Sequence, residues 1–172
     1  MKLSELMTGI TPSADYEGYV MADNMVLAVN TAGSTGASSV GDYSVVQVGV
    51  EGVESSLNAE TNDKQYLRAG KSTTKKGTQR KFSIKGDRYV GDAFQDFALS
   101  EAMKYAVGQE CVVDYVYFNY LTGKGEKGKA SLMVNTDAGG NAGDNSTFDI
   151  ELSKSGDMPE AYTWSASTSG GG

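Results

Sequence analysis

No histidine occurs in this 172-residue chain, which at one stroke excludes Ser-His-Asp and Cys-His triads, imidazole proton shuttles and His-ligated metals. A single cysteine, Cys111, allows neither an intramolecular disulfide nor a thiolate zinc cluster. It stands where an apolar stretch begins and reads as a small buried hydrophobe. Prolines number only two and tryptophans one. No apolar run approaches the roughly 18 residues needed to cross a bilayer. The start, Met1-Lys2-Leu3-Ser4-Glu5-Leu6-Met7, lacks the apolar core of a signal peptide. These absences lead to the expectation of a soluble product made inside a cell, with no membrane partner, no cofactor and no metal.

What is abundant is small and polar. Glycine (22), serine (18) and threonine (13) supply nearly a third of the positions, a composition that favours turns and short strands over a helical bundle. The hydrophobic fraction of 39% still suffices for one core in a chain of this length. Charge is distributed unevenly. From Lys64 to Arg88 there are nine basic residues and one acid, a net +8, whereas the rest of the chain carries −15 within an overall charge of −7. A solvated basic hairpin would satisfy that pattern. So would a basic end of the molecule that meets an acidic partner, and the acidic remainder makes another copy of the chain eligible.

Hydrophobic periodicity marks the elements. Leu3, Leu6, Met7 and Ile10 are spaced as on one helical face, closed by Pro12. Met25 to Val29 reads as a short strand and Asn30 to Gly41 as a small-residue loop. Strict alternation predicts half-buried antiparallel strands at Ser44–Glu51 (Val46, Val48, Val50), Thr78–Gly86 (Phe82, Ile84) and Thr147–Leu152 (Phe148, Ile150, Leu152). Between the first two lies a polar stretch, 54–77, whose only large apolar residues are Leu57, Tyr66 and Leu67, and which reads as an extended excursion outside the core. Asp92 as N-cap and Gln95 at the capping-box position open a helix, whose stripe is Phe94, Phe97, Ala98, Ala102 and Tyr105, with Gly108 as its C-terminal cap. Cys111 to Tyr120 is the longest β-prone run, turned by Gly123-Lys124-Gly125 into Lys129–Asn135. The tail, 165–172, is Ser/Gly-rich and reads as flexible.

None of the remaining motifs carries chemistry. The run Gly123-Lys124-Gly125-Glu126-Lys127-Gly128 precedes a strand where a phosphate loop requires a helix. The loop 137–145 has glycines and acids without EF-hand spacing. For the carboxylates Glu51 and Glu54 the sequence shows no aromatic-lined cleft of the kind a glycosidase pair needs. Tyr115, Tyr117, Phe118 and Tyr120 could stack on bases, but a net acidic chain opposes phosphate contact and packing between strands and subunits is the better reading. The sequence therefore points away from an enzyme.

The order of elements then becomes informative. A basic Thr-rich strand, Thr73-Thr74-Lys75-Lys76-Gly77-Thr78-Gln79-Arg80-Lys81-Phe82-Ser83-Ile84, leads into Gly86-Asp87-Arg88-Tyr89-Val90-Gly91-Asp92. The helix around Phe94-Gln95-Asp96-Phe97 follows, then Tyr115 to Gly123, and at the end Phe148-Asp149-Ile150-Glu151-Leu152 with Gly156-Asp157-Met158-Pro159. Over residues 44–164 this resembles the major tail (tail tube) proteins of long-tailed bacteriophages and phage-tail-like particles. The resemblance implies a mainly β fold of two packed antiparallel sheets, sandwich- or barrel-like, flanked by one α-helix. It implies one tail-tube domain over 1–164, with an N-terminal arm at 1–22 and a long inter-ring loop at 54–77. Subunits would form six-fold rings stacked head to tail into a hollow tube in the virion tail, assembled in the host cytoplasm. Partners would be further copies, a tape-measure protein, and tail terminator and baseplate proteins, with DNA passing through without specific binding. Lys64, Arg68, Lys71, Lys75, Lys76 and Arg80 are the expected self-assembly residues. The competing reading is a carbohydrate-binding or adhesin-like β-sandwich, which would call for clustered exposed aromatics, and only Trp164 is present as a tryptophan.

Overall fold

The computed structural model describes residues 1–33 and 39–165. The expected flexible tail beyond Ser165 and the middle of the loop after Asn30 lie outside the described residues.

Alternating apolar residues produce strands that bury one face. They are β1 (Met25–Val29), β2 (Ser44–Val45), β3 (Val50–Ser56), β4 (Glu60–Tyr66), β5 (Gly70–Gly77), β6 (Lys81–Asp87), β7 (Val112–Asn119), β8 (Lys124–Gly139), β9 (Thr147–Lys154) and β10 (Glu160–Thr163). Eight of them form one antiparallel sheet in the order β2-β1-β7-β8-β9-β6-β3, with β10 added along the start of β8, while β4 and β5 pair only with each other. That order forces the sheet to curl. β2 and β3 are separated by residues 46–49, a connection that spans at most about 18 Å at full extension. In a flat sheet the two edges of this seven-strand path would stand about 29 Å apart. The halves of the sheet therefore face one another across a core that draws on both: Leu27, Val29 and Tyr115 from one side, Phe82, Ile84, Phe148, Ile150 and Leu152 from the other.

A second cluster explains the long apolar run in β7. Val116 and Phe118, with Val26 and Ala28 of β1, point away from the main core and are covered by Leu3 and Met7. Those two residues come from the helix α1 (Leu3–Leu6) and the turn that follows it. Strands covered on both faces read as continuous rather than alternating apolar sequence. Phe118 also meets Tyr162 edge-on at 5.6 Å and lies parallel to Trp164 at 6.1 Å.

The expected strand Ser44–Glu51 is broken. Gly49 adopts φ +69, in the left-handed region that suits glycine, and the chain leaves one edge of the sheet to become the other. Val46 N–H donates to the Leu27 carbonyl and Asp87 N–H to the Gly49 carbonyl, so each edge holds one end of the crossing.

The expected helix is also divided. Asp92 caps α2 (Ala93–Ala98), accepting from Gln95 N–H at 3.0 Å, but Ser100 then starts a separate turn, α3 (Glu101–Lys104), accepting from Met103 N–H. The apolar stripe accordingly stops early. Phe94 and Ala98 are fully buried and Phe97 packs beside them, whereas Ala102 is exposed and Tyr105 is 75% exposed. Gly108, at φ +62, opens a 3-10 turn into Cys111 instead of capping the helix. The loop expected from Asp137 begins later, because β8 continues through two irregularities to Gly139.

Candidate assembly surface

β4 and β5 form a two-stranded ribbon in the register Thr61↔Lys75, Asp63↔Thr73, Gln65↔Lys71. Eight residues of β5 extend about 26 Å. The excursion is closed at its base, where Gln79 N–H donates to the Leu57 carbonyl at 2.9 Å. On one face Asp63 accepts from the Thr73 hydroxyl at 2.7 Å and pairs with Lys71 at 2.8 Å. The Lys71 and Thr73 hydrogen bonds hold the Asp63 carboxyl below its ordinary range. The tip, residues 67–69, carries Arg68 at φ +67, a left-handed conformation uncommon for a side chain of that size.

This ribbon has no apolar face to bury. Its large apolar residues are exposed, Tyr66 at 51% and Leu67 at 90%, as is Leu57 at its base. An isolated two-stranded hairpin is marginal in water, and this one stands apart from the main sheet.

Ion pairing sharpens the charge asymmetry. Of the nine cations between Lys64 and Arg88, five have carboxylate partners: Lys71, Arg80, Lys81, Lys85 and Arg88. The four without one among the described residues are Lys64, Arg68, Lys75 and Lys76, all on the ribbon. Arg80 departs from its expected grouping. It is largely buried against the body, with Nε 2.7 Å from Glu126 and its guanidinium over Phe82 and Tyr117. Glu126 also accepts from the Tyr115 hydroxyl at 3.0 Å, and burial, seconded by the Glu126 charge, raises the Tyr115 pKa well above the usual range. Lys81 and Lys85 are held across strands by Glu151 and Asp149. The ribbon carries two exposed acids of its own, Glu60 and Asp63, the latter paired with Lys71, and the other exposed acids include Asp15, Glu17, Asp23, Glu51, Glu54, Glu110, Asp144 and Asp157.

Two residues escaped sequence reasoning. Gln95 is fully buried and does not complete a capping box. Its amide donates to the Val48 and Asp87 carbonyls at 2.6 and 3.2 Å, and its carbonyl accepts from Tyr89 N–H at 2.8 Å. It thereby ties the crossing segment to α2. Glu126 meets Arg80 across 46 residues of sequence, a separation at which no local pattern signals a pair. Trp164 is stacked on Phe118 rather than displayed as part of a sugar platform. Among the described residues no three acids or cysteines come together as a metal site, and no helix is long and apolar enough to cross a membrane.

No protein-family model matches the chain, and no curated protein matches its sequence. Solved structures do. A chain from the tail of an empty GTA particle, refined helically with C6 symmetry, superposes with a TM-score of 0.55 at 16% identity, over 86% of this chain and 100% of that one. A chain from the virion of a native gene transfer agent particle gives 0.52 at 12% identity, with the same coverage. One from the extended sheath–tube complex of an extracellular contractile injection system, PVC, gives 0.50 at 9% identity, over 86% and 94%. The fold is one used in tail particles. The tail-tube resemblance carried by residues 44–164 thus has its counterpart in three dimensions, over nearly the whole chain.

Proposed function

We propose that the chain is a structural subunit that assembles with copies of itself into hexameric rings, and that these stack head to tail as the hollow tube of a phage-like tail, through which DNA passes to the host. The observation that carries this reading is the β4–β5 ribbon: four cations without a carboxylate partner among the described residues, and exposed Tyr66 and Leu67, on a hairpin that pairs with no other described strand. A heterologous contact that does not close generates a filament, and a basic projection on an otherwise acidic body supplies one. The fold shared with chains of tail particles supports it, and the C6 symmetry of the GTA tail supports the ring size. Net acidity suits a conduit that must release a polyanion. Lys64, Arg68, Lys75 and Lys76 are the residues of contact. Lys71 and Asp63 shape the ribbon, and Arg80 anchors its base.

The test is assembly of the purified chain, followed by sedimentation and negative-stain electron microscopy. Wild type should give rings or tubes whose yield falls as salt rises, since screening shortens from about 8 Å at physiological salt to about 3 Å at 1 M. Lys75→Glu with Lys76→Glu should shift material to monomer or single rings without lowering Tm. Absence of any rings or polymers from the wild type, or equal polymerisation of the reversed variant at every salt concentration, would overturn the proposal.

A further inference from the structure

Among the described residues the curled sheet does not close: β3 has a strand partner on one side only, and β2 covers just Ala28 and Val29 of β1, leaving the rest of that edge without a strand. Between the two edges runs a crevice of about 340 Å³. Its floor is apolar, made by Val26, Val46, Val50 and Val53, and exposed Asp23 and Glu51 stand at its rim. Sheet edges bordering an apolar cleft invite an extended segment from outside.

The chain also carries a segment with the complementary chemistry. Leu67 is 90% exposed at the ribbon tip, followed by Arg68 in a left-handed conformation that glycine would adopt at less cost. Among the described residues neither side chain makes a hydrogen bond or ion pair.

We propose that the tip of the β4–β5 ribbon seats in the β1–β3 crevice of another copy, with Leu67 on the valine floor and Arg68 against the Glu51 and Asp23 carboxylates. This rests on the stacking role proposed above and names the surface that receives the ribbon. The match is of sign as well as shape, with cations and one large apolar group on the tip, acids and an apolar floor in the crevice. Burying Leu67 contributes the larger part of the energy. The ion pairs, being at a rim, fix the register.

Crosslinking of full-length chains tests the geometry. Arg68→Cys and Glu51→Cys are made in separate batches, mixed, assembled and treated with a short thiol crosslinker. Arg68→Cys with Asp144→Cys, on the turn between β8 and β9, is the comparison, and wild type with its buried Cys111 is the blank. The expected result is mixed dimers for 68 with 51 and none for 68 with 144. Polymers that crosslink 68 to 144 but not to 51 would overturn the crevice and leave stacking intact. No polymers from any mixture, wild type included, would overturn both. Leu67→Asp should raise the concentration needed for assembly about tenfold or more, and Leu67→Met should change it little. Assembly of Leu67→Asp at the wild-type concentration would also overturn the proposal.

Discussion

Gln95 shows how much one polar side chain can hold. It occupies a fully buried position at the start of α2, and its hydrogen bonds, two short and one longer, join Val48, Tyr89 and Asp87. Those residues belong to the crossing between sheet edges, to the end of β6 and to the loop that leads from it into α2. Gln95→Leu keeps the volume and removes every partner, stranding two carbonyls and an amide. An unsatisfied buried group costs about 1–3 kcal/mol, so the variant should lose about 2–4 kcal/mol, or about 4–15 °C of Tm in a chain this size. A thermal melt within 2 °C of wild type would mean that water replaces the amide. The sequence shows a glutamine at a capping position and nothing more. Its partners lie 47 and 8 residues back, and only the closing of the sheet brings them to one place.

Elements differ in how plainly their sequences declare them. β1, β6, β7 and β9 follow from alternation or from a continuous apolar run, because each packs a regular face against one core or lies between two. β2 and β3 do not separate in the sequence, since Val46, Val48 and Val50 preserve the period through a turn that only Gly49 betrays. The stripe from Phe94 to Tyr105 looks helical throughout, yet Ser100 offers its own cap and splits it, leaving Ala102 and Tyr105 outside the core. The ribbon was legible as an excursion from its lack of apolar residues. Its pairing was not, since Thr, Lys, Asn and Asp alternate without a buried side to mark the register. The same lack sets its stability. Backbone ordering costs about 1–2 kcal/mol per residue, and three exposed apolar side chains return little of it. Hydrogen exchange should therefore find amides 60–77 weakly protected in the free subunit, exchanging by local opening while β6 and β9 stay protected. In the polymer they should become protected. Strong protection in the free subunit would show that the ribbon needs no second copy.

At the scale of the molecule, body and ribbon are separable. Leu57 and Gln79 are joined by a backbone hydrogen bond at the base of the excursion, and β3 and β6 are already paired below it, Ser56 opposite Lys81. Replacing residues 58–78 with a two-residue Asn-Gly turn should leave a folded monomer whose Tm lies within a few degrees of the full chain, and which sediments as a single species at every concentration where wild type is found to assemble. A deleted chain that aggregates or melts far earlier would show that the ribbon supports its own body. The candidate surface was legible at this scale from charge alone, as a basic block in an acidic chain. Which cations remain free was not, because Arg80, Lys81, Lys85 and Arg88 find their carboxylates only through strand register and tertiary contact.

The crossing at residues 46–49 also bears on the order of events after synthesis. Strands that are neighbours in the chain lie at opposite edges of the sheet, and β1 waits for β7, with Met25 opposite Asn119. Closing such long loops makes folding slow, whereas a local hairpin such as β4–β5 can zip within about 1–10 μs. In a new chain the two strands of the ribbon can therefore pair, transiently, long before its own crevice exists. The crevice requires both edges to be in place. On the stacking proposed above, a half-folded subunit would offer a contact without being able to accept one, so it would terminate a growing end instead of propagating it, and elongation would be licensed by completion of the fold.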